Sequence, residues 1–593
     1  MTPIAHPPKR TNANTRTAHT KESEPERNIE AEDKNNDDDD EKFDEILRQY
    51  GAQSEDRIDA SIHSQHDHHS RGCATVIGEA ALFKVDFRKL NPDAEMRAIL
   101  GAKFRVSNST VQTSADASTS RTRRRLGVRL VVPLRTWPPI KATGLSMNVD
   151  RSEAGGIKYF VFHHGANYRL AQQKFWLASD SMDTDALVAV LHEHPYHVDS
   201  LLQVSNVMRA NEDFQLARDL IGRAVYACES ALHSTFTLST FNCRLDYAHW
   251  ENRAFFLALF KHIGALCQRS CYRTALEFCK ILYGLNPADD PLAVMLLVDY
   301  VALRARQYDW LRAMVAQLDV SRNLNDLPNF AYSVALSYYL QYKDDPNDKN
   351  ADSLLAQADE ALQLALMKFP TLLRTLLDKC SVEPDKQVET CPLFGASEQA
   401  TDGRGLQQLL LLYVGRTKEL WCDHQVMSWL EQNVRECLPK LRKPSEHAVI
   451  DEYCQRRRRR YARTPRSVKR HLLLADLGVP IVETPDSGSL GFDFDPVPPA
   501  DSRAAYARPA RAQPLGQDGL LTAFFRSLMP NYDREAVAVE QAAAAAAADA
   551  QLDRNNMQRL MEAVRRMLAD IQPEQAPLEN AQDEPDWEEW DFD

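Results

Sequence analysis

The sequence predicts an all-α protein built around a tetratricopeptide-like α-solenoid, with a disordered acidic N-terminus and a partly disordered C-terminal region. Three observations predict it. Apolar residues keep a helical period from Asn167 to about Glu436. Within that stretch a degraded repeat recurs: DFQLARDL at 213–220, CYRTALEF at 271–278 and QYDWLRAM at 307–314 each place a small or apolar residue three positions after an aromatic one. The last two copies start 36 residues apart, close to the roughly 34 of a tetratricopeptide hairpin, whereas the first two start 58 apart and need a long insertion between them. Finally, 44% hydrophobic and 26% charged residues in a 593-residue chain are enough for a sizeable core. A hairpin that is apolar on two sides must stack on its neighbours, which makes a solenoid.

Taken in order, residues 1–80 form an acidic region in which Asp37 to Asp40 repel one another and few apolar side chains offset the cost of ordering. His63, His66, His68 and His69 lie there without a Cys or carboxylate framework and read as solvated linker. Residues 81–165 hold a short helix, a linker and a strand-like entry segment. In LNPDAEMRAILG, Asn91-Pro92 caps a helix whose Met96, Ile99 and Leu100 make an apolar docking face, and Gly101 ends it. The Ser/Thr-rich linker ends in Arg121, Arg123, Arg124 and Arg125. VRLVVPLRTWPP and IKYFVFH read as two strands that pair as an entry strap.

The solenoid occupies 166–440. Thr184 or Asp183 caps a helix that Pro195 breaks, and two helices then turn at Arg209 to Glu212. Phe255, Phe256, Leu259, Phe260, Ile263 and Leu266 line one face of the next helix, and Ala275, Phe278, Cys279 and Leu282 line its partner. Further helices are expected at 291–306, 308–319, 328–342, 352–369, 405–413 and 416–436. Residues 441–532 read as a basic, then Pro/Asp-rich linker. An Ala-rich amphipathic helix follows at 533–571 and an acidic aromatic tail at 572–593.

Several function classes are excluded on this reading. No window approaches about 18 continuous apolar residues, so no membrane-spanning helix is expected, and MTPIAHPPKR lacks the apolar core of a signal peptide. Eleven cysteines without a C-x-x-C read as reduced thiols of the cytosol or nucleus. Nucleotide-binding glycine loops and nucleophile elbows are missing. In His192-Glu193-His194-Pro195-Tyr196-His197, Pro195 breaks the helix that a zinc-binding H-E-x-x-H would need, leaving capping and packing roles. Cys267 and Cys271 read as small buried thiols. The expectation is a non-enzymatic protein without cofactor or metal.

What remains are binding elements. Arginine's planar fork suits phosphate, so Arg121, Arg123, Arg124 and Arg125, together with Arg456, Arg457, Arg458, Arg459 and Arg460, are candidates for RNA contact; nuclear import is the other use of such runs. Met557, Leu560, Met561 and Val564 begin an apolar stripe fit either for a partner's groove or for capping the solenoid. Trp587, Trp590 and Phe592 sit among carboxylates, as a docking tail or a solubilising end.

Several segments together resemble the transcription factor 25 family, which includes ribosome quality control complex subunit 1. They are LNPDAEMRAILG, WPPIKATGLSM, FVFHHGANYRLAQQKF, HPYHVDSLLQVSNVMR, RLDYAHWENRAFFLALFKHI, the long CYRTALEFCKILYGLNPADDPLAVMLLVDYVALRARQYDWL and LPNFAYSVAL, spread over roughly 80–340. The resemblance implies an adaptor of ribosome-associated quality control. Its partners would be the large ribosomal subunit, a listerin-type RING ubiquitin ligase, ubiquitin and the AAA+ ATPase valosin-containing protein, with contact to ribosomal RNA. It implies a cytoplasmic, ribosome-associated protein, and the older family name implies a nuclear co-repressor as the alternative. The lysine-rich run common in the family after the acidic segment is missing here, which leaves Arg456 to Arg460 as its substitute.

Overall fold

The computed structural model describes residues 78–101 and 130–508, apart from 141, 154, 182–183, 239–240, 348, 396–401, 442–443, 476, 480–490 and 493. The acidic run, the histidine tract, the Ala-rich helix and the acidic tail lie outside the described residues. The described chain is mostly helical. In order it forms α1 (Pro92–Leu100), β1 (Leu145–Ser152), β2 (Lys158–His164), α2 (Ala166–Ser181), α3 (Thr184–Glu193), α4 (Val198–Ala210), α5 (Phe214–Ser230), β3 (Cys243–Leu245), α6 (Trp250–Gln268) and α7 (Tyr272–Leu285). Then come α8 (Val298–Arg304), α9 (Tyr308–Arg322), α10 (Pro328–Asp344), α11 (Ala351–Lys368), α12 (Thr371–Cys380), α13 (Lys386–Glu389), α14 (Arg404–Trp421), α15 (His424–Leu441), α16 (Pro444–Arg460), α17 (Arg466–Ala475), β4 (Gly491–Phe492) and β5 (Asp495–Pro496).

The repeat seen in the sequence corresponds to one recurring turn and the helix after it. At the ends of α4, α6 and α8, Glu212, Ser270 and Arg306 take left-handed backbone, φ 63°, 59° and 54°. The next N–H in each case reaches back five residues, Asp213 to Met208, Cys271 to Leu266 and Gln307 to Ala302. This bonding satisfies carbonyls that a helix end otherwise leaves unpaired. The helix that follows buries Ala217, Ala275 or Leu311, the small or apolar position of each repeat, to 2% exposure or less. Pairs α4–α5, α6–α7, α8–α9 and α10–α11 pack as antiparallel hairpins, and α5–α6, α7–α8 and α9–α10 join them into a continuous stack. The all-α solenoid reading therefore holds.

The insertion between the first two repeat copies carries β3, which pairs in parallel with β2, itself antiparallel to β1. The 158–163 strand is where it was expected, but its antiparallel partner is LSMNVDRS and not VRLVVPLRTWPP. The latter runs irregularly along α5, where Leu130 and Val131 donate their N–H groups to Glu229 and Trp137 Nε1 donates to Asp219 at 2.6 Å. Pro133, Pro138 and Pro139 cannot donate to a ladder, so this run is a poor strand despite its apolar content. The polar outer face of β1 is simply solvated.

α1 also departs from expectation. Asn91 caps it as anticipated, yet Ile99 and Leu100 remain 61% and 56% exposed. Of the expected apolar face only Met96 packs against the core, and a polar clamp completes the docking. Glu95 accepts the N–H groups of Arg273 and Thr274 at 2.8 Å each, capping α7 from far away in the chain, and Asp93 pairs with Arg269 at 2.9 Å. Near the other end, the expected break between 405–413 and 416–436 falls instead at Cys422-Asp423, between α14 and α15.

The largest correction lies beyond 441. In place of a linker, α16 and α17 pack into the molecule and residues 491–508 return as a strap across α2 and α6. Arg253, a buried side chain of α6, donates from Nη1 to Asp495 at 2.7 Å and from Nε to Tyr247 O at 3.0 Å. Arg470 is also buried and donates to the carbonyls of Pro291, Pro496 and Val497. Ala248 and Trp250 exchange backbone bonds with Arg503, Glu251 accepts from Ala505 N–H, His164 meets Tyr506 at 2.7 Å and Asp180 pairs with Arg508 at 2.6 Å. Such anchors are charged groups aimed at distant carbonyls, so they leave no apolar periodicity to read.

Candidate functional site

Of the residues singled out in the sequence, Arg121, Arg123, Arg124, Arg125, Met557, Leu560, Met561, Val564, Trp587, Trp590 and Phe592 lie outside the described residues. The second arginine run can be placed. Arg456 to Arg460 end α16, and Arg457 to Arg460 form its last turn, where cations are favoured by the carbonyl end of the helix. The run is thus rigid, and its five guanidinium groups have three different surroundings.

Arg457 points inward. It is 4% exposed, donates to Lys368 O at 2.7 Å and lies 3.6 Å from the buried Asp402, whose other oxygen accepts from Thr371. This arginine ties α16 to the end of α11 and to the segment just before α14, contrary to a binding role for every member of the run. Arg456 and Arg460 share Asp326, at 3.6 and 3.8 Å, and Arg460 also donates to Asn323 O. Arg458 and Arg459 are exposed. Gly403, where α14 begins, is needed for this junction, because a Cβ there would sit 2.8 Å from Tyr461 O.

Beside the run is an open cleft lined by Asp326, Lys368, Phe369, Tyr453, Arg456, Arg457, Arg460 and Tyr461. Lys368 donates to Asn325 O at 3.2 Å, and burial lowers its pKa, with Asp326 and Asp319 opposing. Tyr461 donates its hydroxyl to Asp326 O. Lys368, Arg456 and Arg460 gather about Asp326, with Glu452 2.7 Å from Arg456, and Arg458 and Arg459 extend this cationic surface into solvent. An approaching phosphate competes with Asp326 for Arg460 and with both Glu452 and Asp326 for Arg456, whereas Arg458 and Arg459 have no such competitor among the described residues. Lys368, Asp326 and Tyr453 come from three separate segments, so no local pattern could have announced them.

Of the other titratable groups that the sequence brought forward, His197, Cys267 and Cys271 are structural. His197 caps α4, its Nδ1 accepting from Ser200 N–H and its Nε2 facing Gln172 Oε1 at 2.9 Å; burial drives its pKa well down and keeps it neutral. Cys267 and Cys271 are pushed up to about 12 and about 11 by burial. His471 lies between Leu292 O and Arg416, at 2.7 Å from each. Among the described residues no three His, Cys, Asp or Glu side chains gather as a metal site, and no helix is long and apolar enough to cross a membrane.

The family model described as transcriptional repressor TCF25 matches residues 160–499, from within β2 to the first part of the strap. The chain belongs to the TCF25 family. It is 39% identical over 552 residues to ribosome quality control complex subunit TCF25 of Homo sapiens, covering 91% of this chain and 79% of that protein. Against the Dictyostelium discoideum protein of the same name it is 28% identical over 450 residues, 67% of this chain and 59% of the relative. Ribosome quality control complex subunit 1 of Schizosaccharomyces pombe is 31% identical over 349 residues, 59% of this chain and 49% of that protein. No solved structure matches the chain significantly. The family match contains α16, so the arginine turn belongs to the shared part of this TCF25-family chain.

Proposed function

We propose that this TCF25-family protein is a non-enzymatic adaptor of ribosome-associated quality control. It acts with a listerin-type ubiquitin ligase on stalled large ribosomal subunits, promotes degradation-signalling ubiquitin chains, and assists extraction of the nascent chain by the AAA+ ATPase valosin-containing protein. The observation that carries this reading is the 39% identity over 91% of the chain to a relative named as a ribosome quality control subunit. The stacked hairpins support it physically. A rigid scaffold raises the effective concentration of bound ligase and ubiquitin and restricts which acceptor lysine meets the thioester. The exposed Arg458 and Arg459, held on a helix end, supply the contact to ribosomal RNA in this reading, and the protein works in the cytoplasm on the ribosome.

Sedimentation with purified stalled large subunits tests this reading. The protein is expected to co-migrate, with a salt slope that becomes shallower by about 1.4 when Arg458 and Arg459 are both replaced by Ser, at about 0.7 per single-strand phosphate contact. Linkage-resolved ubiquitination with the ligase is expected to lose chain-type preference when the protein is omitted. Failure to co-migrate at any salt concentration would sink the proposal. The description of the family model favours a second reading, a nuclear co-repressor with the solenoid as platform; recovery only in a light nuclear fraction selects it.

A further inference from the structure

We infer that Cys380 and Cys422 form a peroxide-oxidisable dithiol, a modification site that joins the ends of α12 and α14 through a disulfide. The two sulfurs are 2.8 Å apart, with the Cys422 thiol donating to the Cys380 sulfur. A bonded pair sits at about 2.0 Å, so the sulfurs have about 0.8 Å left to close. Both thiols sit on helix ends held by their own hydrogen bonds. Cys380 precedes Ser381, which takes left-handed backbone at φ 56° and donates to Asp378 O. Cys422 is the C-cap of α14, its N–H bonded to Lys418 O. The two helices already pack against each other, so the sulfurs stay juxtaposed.

The site is also selective. Among the described residues Cys422 is the one exposed thiol, whereas Cys228, Cys271, Cys279 and Cys437 are buried. Burial and the neighbouring sulfur push the Cys380 thiol up to about 12, against a smaller opposing effect of Lys418. Cys422 is therefore the group that meets the oxidant and Cys380 the resolving thiol. In the first step the Cys422 sulfur attacks hydrogen peroxide or an organic hydroperoxide. The O–O bond breaks, a sulfenic acid forms and one water or alcohol leaves with the thiol proton. In the second step the Cys380 sulfur attacks the sulfenic sulfur, the S–O bond breaks and hydroxide departs as water with the Cys380 proton. Two thiols give up two electrons in total, and the peroxide takes both. This chemistry is independent of the proposed ribosomal role.

The test uses the full chain, reduced, then exposed to hydrogen peroxide and alkylated. Thiol titration is expected to fall by two, and digestion without reductant should yield one peptide pair linking Cys380 and Cys422. The thermal midpoint should rise by about 5 °C, reversed by dithiothreitol, because the bridge closes a loop of about 40 residues in the unfolded chain. Cys422→Ser should abolish the linked pair. Cys380→Ser should leave Cys422 as a sulfenic acid that dimedone traps. Oxidised wild-type protein in which dimedone labels Cys422 while Cys380 remains alkylatable would overturn the assignment, as would a Cys422–Cys422 dimer as the main product.

Discussion

Replacing Asp495 by Ala should release the C-terminal strap. The Arg253 guanidinium is 2% exposed as a side chain, and Asp495, at 2.7 Å, is its carboxylate partner. A second buried cation, Arg470, lies close to Asp495 and opposite the same Tyr247 ring. Removing one partner of a buried pair costs about 3–5 kcal/mol because the other charge is left uncompensated. Asp495 is 27% exposed, so water recovers part of that, and Arg253 keeps the carbonyls of Tyr247 and Ala248. About 3 kcal/mol remains, which is roughly a 150-fold rise in the open strap. Trypsin reads this directly at Arg503, which Ala504 follows, since cleavage of a rapidly reclosing segment tracks its open population. Asp495→Asn, which keeps the shape and loses the charge, should behave nearly as Ala does. Cleavage within threefold of wild type for both variants would refute the claim that this ion pair holds the strap.

Glu95→Ala should lower stability by about 1–3 kcal/mol in urea unfolding, because two N–H groups at the start of α7 lose a carboxylate acceptor at 2.8 Å; Glu95→Gln should retain part of that. Acid should destabilise the fold through His164, whose pKa burial lowers to about 3, with His163 and Arg169 adding to the effect. Below about pH 6.5 the unfolded chain takes up a proton that the folded state refuses. The stability is complete above that pH and falls by up to about 1.4 kcal/mol per unit toward pH 3. Denaturant titrations at successive pH values should show a slope shallower by up to one proton in His164→Gln.

The comparison of sequence with structure turns on period and distance. Helical periodicity sufficed from α3 to α11 because each helix buries a continuous apolar stripe against its sequence neighbour. The aromatic-to-small repeat located the hairpins, since Ala217, Ala275 and Leu311 must fit where two helices meet. The strand expected in VRLVVPLRTWPP failed because prolines spoil a ladder whatever their neighbours' hydrophobicity. The region beyond 441 departs from the sequence expectation for a different reason. Its order comes from Arg253, Arg457, Arg470 and His471, each satisfied by groups far away in the chain.

The sequence alone determined the helical scaffold, the turn positions of its repeats, the family and the existence of an arginine cluster. Local patterns carry those features, because periodicity and capping act within one or two helical turns. Only the tertiary structure decided how that cluster divides into a buried tie, a pair held by Asp326 and two outward cations. It alone brought Cys380 beside Cys422 and returned the strap to α6. Contacts of that kind form between segments tens to hundreds of residues apart, where chain topology, and no short-range propensity, sets the distance.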